Sequence, residues 1–276
     1  MGTDDAVYTH GHHASVLRSH SWRTAENSAA YLLPQLRPGT TVLDVGCGPG
    51  TITADLAGLV APGRVVAIDP AEDAVTATRE AAAAFGSTTV EAARATLDEW
   101  VAATPDDQPG FDVVHAHQVL QHLADPVAAL RQMAQLTRPG GLVAVRDSDY
   151  AGFSWYPQLP DLDEWLALYQ RAARANRGEP DAGRRLLSWA RRADVFAEIT
   201  PSASIWCFAT PDDRAWWGGM WADRILHSAM AGQLLAAGWA TTSDLQRISA
   251  AWSAWAAAAD GWFAVPHGEL VCRLPD

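Results

Sequence analysis

Three glycines at alternate positions, Gly46, Gly48 and Gly50, follow an apolar run and lead into a helix-like stretch at Thr51. Glycine tolerates positive φ and lets backbone N–H groups approach a ligand at a helix start. Two carboxylates lie nearby. Asp44 precedes the loop, where it would repel a pyrophosphate but could attract a cationic ligand. Asp69 ends the next apolar run in Ala67-Ile68-Asp69-Pro70, placed to accept both hydroxyls of a ribose. A dinucleotide fold wants a third glycine where Thr51 stands. A phosphate loop wants Gly-Lys-Ser/Thr, and there is no lysine here. Both phosphate readings weaken.

Histidines and further carboxylates form a second group. His115 and His117 share one face if residues 111–116 are a strand, at the edge where open α/β sheets place ligands. His122 borders the next helix and could point the same way. Each could instead be a hydrogen-bonded structural histidine. Asp147 and Asp149 follow a later strand; either could orient a substrate or accept a proton, or simply form a turn. His10, His12 and His13 lack the cysteine or carboxylate company of a metal site, so no metal is expected. Arg23 lies in a polar N-terminal segment and could pair with a ligand carboxylate.

The elements that must position these groups follow a βαβ rhythm. Strands are expected at 41–45, 64–68, 89–93, 111–116 and 142–146, with helices at 51–59, 71–85 and 126–136. The first 37 residues read as helical. Beyond residue 150 the character changes, with eleven of the 13 tryptophans there. Strands at 199–208 and 262–273 and helices at 161–175, 184–192, 212–237 and 243–258 are expected, the last with a capping box of Ser243 and Gln246. The fold class is α/β: a doubly wound, Rossmann-like sheet, mostly parallel with the last strand antiparallel, under an N-terminal helical cover and helical insertions. One domain is expected over 1–276, with a cover at 1–38, a ligand-binding core at 39–150, and lid helices with C-terminal strands at 151–276.

The chain has 276 residues, 49% hydrophobic and 19% charged, which is globular composition. A net charge of −12 disfavours nucleic acid as a partner. No apolar run suits a membrane span and no basic-then-apolar leader is visible. Three dispersed cysteines suit a reducing, cytoplasmic setting.

The segment Val42-Leu43-Asp44-Val45-Gly46-Cys47-Gly48-Pro49-Gly50 resembles motif I of class I S-adenosylmethionine-dependent methyltransferases, and Asp69 matches their ribose-binding acid. Phe111–Val114, the following His115–Leu123 and Arg138-Pro139-Gly140-Gly141 match later motifs. The resemblance spans roughly residues 20–150 and is nearest to the ubiquinone/menaquinone-type C-methyltransferases. The chain is also similar to bacterial indole C3-methyltransferases. The resemblance implies S-adenosylmethionine as donor and S-adenosylhomocysteine as product. It implies a cofactor site of Arg23, Asp44, Gly46, Gly48, Asp69, Pro70, Ala95, Thr96, Leu97, His117, Gln118 and His122.

One departure is visible. Many relatives hold the adenine amino group with an acid after the third strand, where this chain reads Glu91-Ala92-Ala93-Arg94-Ala95-Thr96. Backbone contacts from Ala95 and Thr96, with Leu97 packing on the adenine, are the expected replacement, or Asp98 if the register slips.

Methyl transfer is an in-line displacement in which proximity and orientation matter most, and a base matters only where the nucleophile must lose a proton. Tyr8, His117 and Asp147 are the candidates. The aromatic C-terminal half suggests a flat acceptor stacked on Trp155, Tyr156, Tyr169 and Trp221, with an indole methylated at C3 as the favoured case and O- or N-methylation of another small molecule, or a non-catalytic cofactor-binding protein, as alternatives. Core packing or a homodimer interface would use the same tryptophans.

Overall fold

The computed structural model describes residues 22–105 and 107–276. Tyr8, His10, His12 and His13 lie outside the described residues.

Among the described residues, a sheet of eight strands organises the molecule. Strands β1 (Val42–Val45), β2 (Val65–Asp69), β3 (Val90–Arg94), β4 (Phe111–His117) and β5 (Thr137–Ser148) pair in parallel in the order β3-β2-β1-β4-β5. Helices α2 (Thr51–Val60), α3 (Glu72–Ala84), α4 (Leu97–Ala103) and α5 (Pro126–Gln135) make the crossovers. Strands β1 and β2 are mostly apolar because both faces are covered, with Asp44 in β1 and Asp69 at the end of β2 as the exceptions. The final strand β8 (Trp262–Arg273) runs antiparallel to β5 on one side and to β7 (Glu198–Phe208) on the other. A short strand, β6 (Ser154–Tyr156), extends the β5 side along β8.

Between β6 and β8 lie α6 (Pro160–Ala175), α7 (Leu186–Ala193), α8 (Pro211–His227), α9 (Ala229–Ala236) and α10 (Thr242–Ala257). All but α7, which packs into the core under the parallel strands, bury an aromatic core in which Trp165, Trp221, Trp252 and Trp255 are almost fully enclosed. Trp165 meets Trp221 and Trp252 edge-to-face at 4.5 and 4.8 Å, geometry that the ring quadrupole favours.

Several boundaries differ from the sequence reading. Within the expected N-terminal helix, the described part holds one short helix, α1 (Ala25–Ser28), and a 3₁₀ turn at Leu33–Gln35 that Pro34 shapes. The helix expected at 212–237 breaks at Ser228, whose backbone is extended (φ −79°, ψ 169°). The capping box of α10 is Thr241 with Asp244, not Ser243 with Gln246: Thr241 Oγ1 accepts the Asp244 N–H over 3.2 Å, and the Asp244 carboxylate accepts the Thr241 N–H over 2.9 Å. An aspartate at the third helical position reaches back just as a glutamate would. Helix α4 and strand β6 lacked a readable period because they are so short. No helix among the described residues is long and apolar enough to cross a membrane.

Candidate active site

The carboxyl ends of β1, β2 and β4 open into a cavity of about 480 Å³. The chain turns sharply after β1: Gly46, Gly48 and Gly50 have φ of 68°, 57° and 79°, and Gly50 caps α2 in the left-handed region. Side chains there would collide, since a Cβ on Gly46 would come within 2.5 Å of Val119 and one on Gly50 within 2.5 Å of the Thr78 backbone. The loop is held by Gly46 N–H donating to Ile68 O and by Gly48 N–H donating to Asp69 Oδ2 over 3.1 Å. Asp69 Oδ1 accepts the Ala71 N–H over 2.9 Å, so the carboxylate is oriented before any ligand arrives.

Asp44 is buried beneath the loop. Its Oδ2 accepts from Thr53 over 2.6 Å, and its Oδ1 lies 2.8 Å from His115 Nδ1. His115 thus supports the strand ends and is absent from the cavity wall. His117, two residues on, faces the cavity, and among the described residues neither ring nitrogen has a hydrogen-bond partner. Burial pulls its pKa well below the ordinary histidine value, and the nearby charges of Arg23 and Arg146 add to the effect. His122 is pulled down to about 4, by burial first and then by Arg23. Both imidazoles are neutral near pH 7.

Arg23 reaches the cavity from the N-terminal segment. Its Nη2 donates to Gln118 Oε1 over 2.7 Å, and its guanidinium lies 5.7 Å from the centre of the Trp206 ring. Gln118 itself adopts a left-handed backbone (φ 55°), an outlier for this residue type and of a kind that clusters at functional sites.

All twelve expected cofactor-site residues, from Arg23 to His122, border this one cavity. At the expected adenine end, the Ala95 N–H donates to Asp69 O over 3.1 Å and the Thr96 N–H donates to Glu99 over 2.8 Å in the capping box of α4, so a backbone contact to an adenine amino group would fall to a carbonyl, the acceptor that such a group requires. Asp98 is bonded to Gln132 and lies off the cavity wall. What Ala95 and Leu97 present there is apolar surface.

The acceptor expectations fare differently. Trp221 lines the cavity, whereas Trp155, Tyr156 and Tyr169 do not. Pairing of β6 with β8 stacks Trp155 on Phe263 at 5.6 Å and turns Tyr156 outward, 54% exposed. Tyr169 is buried behind Tyr150, with ring centroids 3.9 Å apart, and Tyr150 is the one that borders the cavity. Trp22, Trp206, Trp216 and Trp217 join Trp221 in the wall.

Asp147 is displaced from its expected role as well. It is fully buried beside the 3₁₀ turn Leu120–His122, where its Oδ1 accepts the Gln121 N–H, and it does not border the cavity. Burial raises its carboxyl to about 7, partly offset by those backbone donors. Asp149 is held by Arg184. Beneath Trp206, Arg146 pairs with Glu269 over 3.1 Å with both side chains buried, and its guanidinium lies 4.7 Å from the Trp206 ring centre.

Sequence reasoning missed Tyr150, Phe153, Arg224 and Val265 in the wall, and His267 just behind it. The alternation of His267 and Glu269 on an otherwise apolar strand was the available signal for the last.

Residues 36–194 match the family described as a methyltransferase domain. An uncharacterized methyltransferase of Schizosaccharomyces pombe is 34% identical over 98% of both chains. Among solved structures, the YcgJ protein of Bacillus subtilis superposes with a TM-score of 0.58 at 16% identity, over 91% of this chain and 99% of its own. A Haemonchus contortus phosphoethanolamine N-methyltransferase, solved with phosphomonomethylethanolamine and S-adenosylhomocysteine, superposes with a TM-score of 0.55 at 14% identity, over 90% of this chain and 52% of its own. These likenesses show the shared α/β fold.

Proposed function

The chain belongs to the S-adenosylmethionine-dependent methyltransferases, and from that premise we propose that it methylates a small, flat aromatic acceptor, with an indole methylated at carbon C3 as the favoured case. The observation that carries this reading is the union, in one cavity, of the glycine loop and a wall containing Trp22, Trp206, Trp216, Trp217 and Trp221.

The residues suit the donor. Positive-φ glycines allow close approach of a ligand to the backbone. The pre-oriented Asp69 suits a ribose diol, with Pro70 beside it. Ala95 and Leu97 offer an apolar slot for adenine, and Arg23 suits the carboxylate of the amino-acid end. His117, Gln118 and His122 close that end without adding positive charge of their own. When bound, S-adenosylmethionine supplies an electrophilic methyl group on positively charged sulfur.

The acceptor stacks on the tryptophan wall, which excludes water and aligns the attacking atom. His117 takes the proton the acceptor must release. Its depressed basicity fits carbon methylation: attack from an electron-rich ring leaves that ring cationic, and a cationic ring gives up its proton to a weak base.

Incubation with methyl-labelled S-adenosylmethionine and a panel of indoles and other flat aromatics, followed by NMR of the product, tests the proposal. A methyl carbon bonded to a ring carbon is expected. A methyl on oxygen or nitrogen overturns the carbon assignment, and transfer confined to aliphatic acceptors overturns the aromatic reading.

A further inference from the structure

In the cavity wall, Gln118 bridges two segments distant in sequence, one of them behind the wall. Its Oε1 accepts from Arg23 Nη2 over 2.7 Å, and its Nε2 lies 2.9 Å from His267 Nε2 on β8. A guanidinium only donates hydrogen bonds, so the amide oxygen must face Arg23 and the amide nitrogen must face His267. The NH₂ group then donates, and His267 Nε2 must carry a lone pair. The polarity of the whole bridge is set: Arg23 donates to Gln118, and Gln118 donates to His267.

His267 is enclosed, 1% exposed, with Trp206 at 4.3 Å and His117 at 6.3 Å between ring centres. Burial, together with the charges of Arg146 and Arg23, holds its pKa well below the ordinary value, consistent with the neutral ring that the bridge requires. His267 does not border the cavity.

We propose that His267 is a positioning residue: by accepting from Gln118 it locks the amide so that its oxygen faces Arg23, and so fixes the guanidinium that receives the carboxylate of the cofactor's amino-acid end. Without an acceptor at 267 the amide of Gln118 loses the anchor on its nitrogen side, and Arg23 loses a fixed partner. The left-handed backbone of Gln118 supports the same assignment, since strain of that kind persists where surrounding contacts hold it. The proposal rests on the reading of Arg23 given under the proposed function.

The test compares two ligands by calorimetry. S-adenosylhomocysteine has the amino-acid end, and 5′-methylthioadenosine lacks it. His267→Phe is expected to weaken S-adenosylhomocysteine about tenfold, the effect of one misplaced charge-assisted hydrogen bond, while 5′-methylthioadenosine stays within about twofold. His267→Gln, which offers an oxygen acceptor in place of the imidazole nitrogen, is expected to restore affinity to within about threefold of the parent. Equal weakening of both ligands, or no rescue by glutamine, overturns the positioning role. If His267→Phe does not fold, the glutamine variant against His267→Leu makes the same comparison. Arg23→Gln separates the two readings. Unchanged S-adenosylhomocysteine affinity there overturns the Arg23 reading and the cofactor role of His267 with it. Weakening there alongside full affinity in the position-267 variants overturns His267 alone.

Discussion

His115 Nδ1 lies 2.8 Å from Asp44 Oδ1 with both side chains buried, and Thr53 donates to the other carboxylate oxygen over 2.6 Å. This small network ties β1, β4 and the first turn of α2 together directly beneath the glycine loop. Replacing His115 by leucine leaves the buried carboxylate with one partner removed. The expected loss is about 2 kcal/mol of stability, read from urea denaturation with S-adenosylhomocysteine absent.

Two glycine substitutions should differ in severity. At Gly46 an added Cβ meets the end of the Val119 side chain, which can turn aside, whereas at Gly50 it meets the Thr78 backbone. Both positions also have positive φ, which a side chain disfavours. Gly50→Ala is therefore expected to lower the melting temperature more than Gly46→Ala, while both lose cofactor affinity in a calorimetric titration.

Asp147 should make stability depend on pH. Its carboxyl is raised to about 7 in the folded protein, whereas in the unfolded chain it titrates in the ordinary carboxylate range. Below that range both states carry the proton and there is no penalty. As pH rises toward about 7 the unfolded chain ionises first, so the stability of the folded state falls; above that the penalty is complete. Asp147→Asn keeps an oxygen for the Gln121 N–H and removes the titration. Its stability should match the parent near pH 4 and exceed it by on the order of 3 kcal/mol at pH 8, measured by chemical denaturation. A constant gap across that range would sink the assignment.

His117→Asn is expected to lower kcat about a hundredfold, the usual contribution of a positioned base, while S-adenosylhomocysteine affinity changes much less. In the parent enzyme, neutral His117 persists well below the ordinary histidine pKa. The rate limb assigned to this group should therefore fall well below the ordinary histidine range, and its absence from the variant's pH profile is the diagnostic measurement.

Trp216 sits half-buried on α8 and packs on Trp22 and Phe208 at 5.4 and 5.7 Å. Trp216→Ala should raise the acceptor KM about tenfold through lost stacking, with little change in S-adenosylhomocysteine binding. Steady-state kinetics varying each substrate in turn would separate the two effects.

How legible this molecule is from its sequence varies with what fixes each residue. The donor half was readable because a glycine loop, a carboxylate at a strand end and a βαβ period are local signals, and the structure gathers those residues around one cavity. The Asp44–His115 bond was hidden, since it joins residues 71 apart through parallel pairing of β1 with β4. The acceptor wall was half legible. Aromatic density marked the right half of the chain, but whether a ring faces the cavity or the core depends on strand register: Trp155 pairs opposite Phe263 and turns inward, while Tyr150, just upstream, borders the cavity. Asp147 shows the same limit, because only the tertiary path of the Leu120–His122 turn carries it away from the cavity wall.

The five indole rings of the cavity wall lend the molecule an optical property. Trp22, Trp206, Trp216, Trp217 and Trp221 border the space that ligands would fill, whereas Trp165, Trp252 and Trp255 are sealed in the core and screened from it. Intrinsic fluorescence of this protein should therefore respond to ligands through the wall rings, and because Trp221 touches Trp165 at 4.5 Å, part of the core emission would pass to the wall by energy transfer. An aromatic acceptor entering against the wall would then quench both, and loss of emission would report acceptor binding.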